Sequence, residues 1–204
     1  MRVVAFDAES DGLPDRTRSG QDIEARAFRH VNYTCVCAVV LDGECDASAL
    51  ARASKLVVWR DDPSPDAFER LLVAFDEADV ILAYNAIGFD FPLLFKHFAG
   101  NRERYLAHRL KTLDIFERIR SATTEWPKLD ALLRENGLET KTSSGAEAVR
   151  MWERGERDAL SAYCMADVVL TTQLALLPAL TLHGVPIPPA LYSLRAALAA
   201  AAGA

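Results

Sequence analysis

The sequence predicts an α/β domain, one mixed sheet flanked by helices. Three short β-branched apolar runs come first, then a helical segment, a fourth apolar run and mostly helical periodicity, with clusters of turn formers between them. RVVAFD (2–7) is the first strand, and the polar, turn-rich ESDGLPDRTRSGQD after it is a loop. YTCVCAVVL (33–41) and KLVVW (55–59) are two more strands, with the turn DGE between them. SPDAFERLLVAFDEAD (64–79) has the pattern of a helix with Ser64 as N-cap and Pro65 in its first position. DVILAY (79–84) is a strand, FDFPLLFKHFAG (89–100) a helix ended by Gly100, and KTLDIF (111–116) a short strand. PKLDALLREN (127–136) is a helix closed by Gly137, followed by a helical AEAVRMWERG and a long helix from about Arg157 to Leu177. HGVPIPP (183–189) is a loop leading to a final alanine-rich helix. No internal repeat is visible.

Half of the 204 residues are hydrophobic and a quarter are charged, which is globular composition of single-domain length. No run of about 18 apolar residues suggests a membrane span, and acids at positions 7 and 9 precede any signal-like apolar region. The expectation is an intracellular protein, cytoplasmic or nucleoid/nuclear, with no membrane partner. Four cysteines without a CxxC pair read as reduced thiols. Cys35 and Cys37 share a strand face, but a zinc site with His30 lacks a second ligand pair at the usual spacing.

The net charge of −6 argues against nonspecific adhesion to nucleic acid as the main role. It leaves room for a nucleic-acid enzyme, since metals offset clustered acids. Between Lys96 and Lys128 stand eight Lys/Arg against four acids, either a solvated helical face or a phosphate-contacting patch.

The acids have a telling placement. In FDAES, Asp7 ends a strand and Glu9 points the same way, so the two carboxylates repel unless a cation lies between them. In YNAIGFD, Asp90 opens a helix after a strand and a tight turn; on its own it reads equally as an N-cap, with Asn85 a turn residue. In YCMAD, Tyr163, Asp167, Leu170 and Leu174 recur at i, i+4, i+7 and i+11 on one helix face. A carboxylate in that stripe either sits at its rim or faces a cation. Acids at a strand end, a strand-to-helix junction and a late helix can converge on one sheet edge. An all-oxygen donor set of this kind suits Mg²⁺ or Mn²⁺.

On these motifs the chain resembles the DEDD superfamily of 3′–5′ exonucleases, which have the ribonuclease H-like fold. Asp7-Ala8-Glu9, Asn85 to Asp90, and Tyr163 to Asp167 stand for its three motifs, in order. Ala162 five residues before Asp167 does not suit the histidine subtype, whereas Tyr163 suits the tyrosine one. The N-x-x-x-F-D spacing, TLDIF, KLDALL and YC-x-x-DV are similar to the proofreading exonuclease of family B DNA polymerases, over roughly residues 2–178. The resemblance implies that residues 1–180 are the exonuclease domain and leaves 181–204 without an assigned role. It implies that Asp7, Glu9, Asp90 and Asp167 hold two divalent cations, Mg²⁺ or Mn²⁺, and that Tyr163 orients the attacking water. Ser10, Leu13 and Asn85 are the implied contacts to the terminal nucleotide. Ser10 departs from the family's usual Thr but keeps the hydroxyl. The long polar loop 14–30 is expected to shape substrate access. The implied substrate is nucleic acid, a single-stranded or frayed DNA 3′ end first. An exoribonuclease of deadenylase type, and an idle binding module of the same fold, are the alternatives.

Overall fold

The computed structural model describes residues 1–15, 27–98, 100–140 and 145–203. Most of the polar loop 14–30 therefore lies outside the described residues. The elements are β1 (Arg2–Ser10), β2 (Tyr33–Asp42), α1 (Ala47–Arg52), β3 (Ser54–Trp59), α2 (Ala67–Glu77), β4 (Val80–Ala83) and α3 (Asp90–Leu94), which a 3₁₀ turn continues to Phe98. They go on as α4 (Arg102–Leu110), β5 (Thr112–Asp114), α5 (Ile115–Thr123), α6 (Leu129–Glu135), α7 (Gly145–Glu153) and α8 (Arg157–Leu176). The hairpin β6 (Leu180–Leu182) and β7 (Val185–Ile187), then α9 (Pro189–Tyr192) and α10 (Leu194–Ala202), complete the chain.

The sheet runs β3-β2-β1-β4-β5. β1 is antiparallel to β2 and parallel to β4, and β4 is parallel to β5. The mixed sheet flanked by helices is the one the sequence predicts. β1 is apolar on both faces because both are covered. Val3 and Ala5 join Cys35, Cys37 and Val39 under α8, whereas Val4, Phe6 and Ala8 join the core shared with α2 and α3. By length and composition α8 could cross a membrane. Here it is a core helix, burying Leu160, Cys164, Val168 and Leu174 against the sheet.

Several local expectations need correction. Helix α2 begins at Ala67, not beside Ser64, because Ser64 is held in a preceding turn: its N–H donates to Asp62 at 2.8 Å and its carbonyl accepts from Ala67. HGVPIPP is not a plain loop. His183 and Gly184 both take positive φ, 53° and 75°, and close the β6–β7 hairpin. Glu135 stabilises that turn by accepting from both backbone N–H groups, at 2.9 and 2.7 Å. α1 and α4 are short helices capped by Asp46 and Asn101, whose side chains accept from Ala49 and Arg104 N–H. The C-terminal segment packs into the same core through Tyr192, Leu194 and Leu198.

Candidate active site

The parallel strands β1, β4 and β5 end on one edge of the sheet, the place where open α/β sheets bind ligands. A pocket of about 460 Å³ opens there, and Asp7, Glu9, Asp90, Tyr163 and Asp167 all line it. Asp7 and Glu9 continue the face of Val3 and Ala5 as β1 leaves the core. Their carboxylate oxygens and Cys164 Sγ lie within 4.8 Å of one another. A register shift between Glu9 and Ser10 then turns the strand.

Asp90 reaches the pocket from the other side of β1, where its Oδ1 accepts from Ala8 N–H at 2.8 Å. It is 3% exposed. Burial first, then the neighbouring Asp7 and Asp114, push its carboxyl well above the usual range. It does not cap α3 as an N-cap residue, since it is the first helical residue after Phe89.

The turn that delivers Asp90 is held by a residue the motifs do not contain. Asp114, at the end of β5, accepts from Asn85 and Ile87 N–H at 2.8 Å each and from Glu117 N–H at 3.1 Å. Asn85 is thereby fixed at φ +66°, and its side chain lies over Gly88, where a Cβ would come within 2.9 Å of Oδ1. A side chain at that position would have to displace the Asn85 amide.

Helix α8 brings Tyr163 and Asp167 down one face, 8% and 4% exposed. The stripe is real: Leu170 and Leu174 are buried with them. Burial, then Asp167, Glu9 and Asp7, push the Tyr163 phenol far above its ordinary value. A phenol so placed keeps its proton at neutral pH and can donate a hydrogen bond.

A profile of the RNase_H superfamily matches residues 22–177. The chain belongs to the RNase H superfamily. The matched stretch contains Asp90, Tyr163 and Asp167 but starts after Asp7 and Glu9. Among solved structures, the family B DNA polymerase from the hyperthermophilic archaeon Pyrobaculum calidifontis is similar, with a TM-score of 0.53 and 21% identity over 85% of this chain. The similar region is 24% of the polymerase chain, and the likeness speaks for the fold. No curated protein matches the sequence.

In this RNase H-superfamily domain the pocket wall also includes Tyr84, Phe116, Lys128 and Asp130, which the motif reading passed over. The signal for Lys128 and Asp130 was the KLDALL segment itself, where α6 begins beside the site. Tyr84 is held in place by its hydroxyl, which donates to Pro127 carbonyl at 2.7 Å. Of the implied nucleotide contacts, Leu13 is 72% exposed at the rim, while Ser10 is buried and donates its hydroxyl to Gly12 carbonyl at 2.8 Å. Several of the basic residues between Lys96 and Lys128 are engaged within the fold. Arg104 pairs with Asp76 and Glu69, Lys111 donates to the Asp76 and Ala78 carbonyls, Lys96 to the Val31 carbonyl, and Arg120 pairs with Glu117. Lys128 alone of that group lines the pocket among the described residues.

Proposed function

We propose that this chain is a metal-dependent 3′–5′ exonuclease of the tyrosine DEDD subtype. It hydrolyses phosphodiesters at single-stranded or frayed DNA 3′ ends and releases nucleoside 5′-monophosphates. The supporting observation is the charge of the pocket. Asp7, Glu9, Asp90, Asp130 and Asp167 line it against a single cationic side chain, Lys128, among the described residues. Such a cleft repels a phosphodiester unless cations intervene.

The donors fit hard divalent ions. They are carboxylates, two within 4.8 Å of each other, with a third, Asp90, whose carboxyl is raised first by burial and then by the neighbouring Asp7 and Asp114. Asp7, Glu9, Asp90 and Asp167 would hold two ions, Mg²⁺ or Mn²⁺. When bound, such ions make a coordinated water nucleophilic and neutralise the leaving oxygen. Tyr163, protonated and one turn from Asp167, positions a water or phosphate oxygen by hydrogen bond. Lys128 attracts the phosphate next to the scissile one. Leu13 meets the terminal base at the rim, and Asn85 and Ser10 meet the sugar, Ser10 as an acceptor because its proton is committed to Gly12. Asp114 positions the turn and touches no substrate. The catalytic unit is residues 1–180, and the segment after it packs on it as a buttress through Leu182, Ile187, Tyr192, Leu194 and Leu198. The 3′–5′ direction and the tyrosine subtype rest on the resemblance of the three motifs.

The test uses 5′-labelled single-stranded DNA and RNA of one sequence, with Mg²⁺, Mn²⁺ or EDTA, and Asp7→Ala as control. A metal-dependent ladder shortening from the 3′ end and absent in the variant is the expected result. Faster RNA cleavage would make the enzyme an exoribonuclease. No cleavage of either polymer would reject the enzymatic reading in favour of a binding module.

A further inference from the structure

The sheet face that carries the carboxylates carries sulfur beside them. Pairing of β1 with β2 sets Cys37 opposite Asp7 and Cys35 opposite Glu9. Cys164 of α8 closes over them, and the three Sγ atoms lie within 4.8 Å of one another. Cys164 Sγ also sits 3.6 Å from an Asp7 carboxylate oxygen. All three thiols are free and fully buried, whereas Cys45 is half-buried in the turn after β2.

One buried cysteine is ordinary core filling, a small apolar side chain. Three sulfurs converging from two elements supply three soft ligands of a tetrahedral site for a thiophilic ion, and the carboxylate oxygen beside Cys164 stands near enough to be turned into the fourth position. The way in is short, since Asp7 both lines the pocket and touches Cys164.

We propose that Cys35, Cys37 and Cys164 form a second cation site, selective for a soft or borderline ion such as Zn²⁺, with Asp7 as its oxygen donor. Binding exchanges three S–H protons, released to solvent, for three metal–sulfur bonds, and no electron is transferred. Mg²⁺ and Mn²⁺ prefer the oxygen set, so the two sites sort ions by softness. They share Asp7. An ion held by the thiols draws that carboxylate away from the pocket, so Zn²⁺ acts as a brake. The site stands independently of the exonuclease reading, and only the brake rests on it.

The experiment titrates the reduced full-length chain with Cd²⁺ in excess Mg²⁺ and follows the sulfur-to-cadmium charge-transfer absorption. A single equivalent is expected to saturate the band, and Cys45→Ser leaves it in place. Cys164→Ser weakens Cd²⁺ binding by about tenfold or more, at least what loss of an outer-shell partner costs. Cys35→Ser, on a different element, gives the same comparison if Cys164→Ser does not fold. A folded wild-type chain without the band, or a band that disappears in Cys45→Ser, overturns the proposal. A thiolate band in a protein that cuts neither DNA nor RNA would reject the exonuclease and keep the site. In an active enzyme, Zn²⁺ inhibition that persists unchanged in Cys35→Ser would remove the brake.

Discussion

The end of β5 and the start of α3 each bury an aspartate, and the two are used differently. Asp114 and Asp90 are almost equally hidden, 2% and 3% exposed. Burial raises both carboxyls. Asp114, however, gathers three backbone N–H donors and faces the turn it holds. Asp90, at the start of α3, accepts one N–H from Ala8 of β1 and has the carboxylates of Asp7 and Asp114 as like-charge neighbours. Burial alone does not distinguish a staple from a poised charge. What surrounds the carboxylate does: three N–H donors tie Asp114 to the turn, whereas like charges beside Asp90 disfavour its ionisation unless a cation is supplied.

This contrast can be broken in graded ways. The largest effect is expected for Asp90→Asn and Asp167→Asn, which should lower kcat on labelled single-stranded DNA by about 10³-fold or more, the loss of several kcal/mol of charge stabilisation. Circular dichroism should stay native, and a fully active variant would remove these residues from the site. Asp114→Ala should fail in the opposite manner. It leaves three N–H groups without their acceptor and should cost about 3 kcal/mol or more in urea unfolding, with activity lost as the turn loosens.

The next effect is a pH dependence. The folded pKa of Asp90 is raised above the unfolded value of about 3.9. Its stabilising contribution is complete below the unfolded pKa and is lost as pH rises through the folded one. In metal-free buffer, Asp90→Asn should therefore gain on the wild type as pH rises above about 4, by about 1.4 kcal/mol for each unit that the native pKa is raised. Saturating Mn²⁺ should close the gap by stabilising the wild type; a gap that is flat from acid to neutral pH would show that Asp90 is ionised and satisfied as it stands. The smallest effect is expected for Tyr163→Phe, a loss of about tenfold in rate, one hydrogen bond's worth. Stabilisation by Mn²⁺ should be untouched, and its disappearance would make Tyr163 part of the ion site.

The strands and the long helix were legible because their signals are local. Alternation in RVVAFDAES puts Asp7 and Glu9 on one face, and the stripe through Tyr163 and Asp167 is a single helix's periodicity. What stayed hidden depends on distant pairing. Asp114 looks like a strand-end acid until the turn at Asn85 is brought over it, and Cys164 joins Cys35 and Cys37 only when α8 docks. HGVPIPP reads as a loop because it is rich in turn formers, and the pairing of Val185–Ile187 with Leu180–Leu182 shows only once the turn at His183 and Gly184 folds the chain back. Sequence shows the basic excess before Lys128 but not which of its charges are already paired, as those of Arg104 and Arg120 are.

The position of α8 has a bearing on synthesis. The pocket draws on residue 7, residue 90 and residue 167, and the helix that brings the last carboxylate also covers the sheet. A growing chain therefore has β1 long before it has a finished site. Contacts of such sequence separation are slow to form in folding, so a growing chain carries its first two acids without the other carboxylates of the pocket until α8 has been made and has docked.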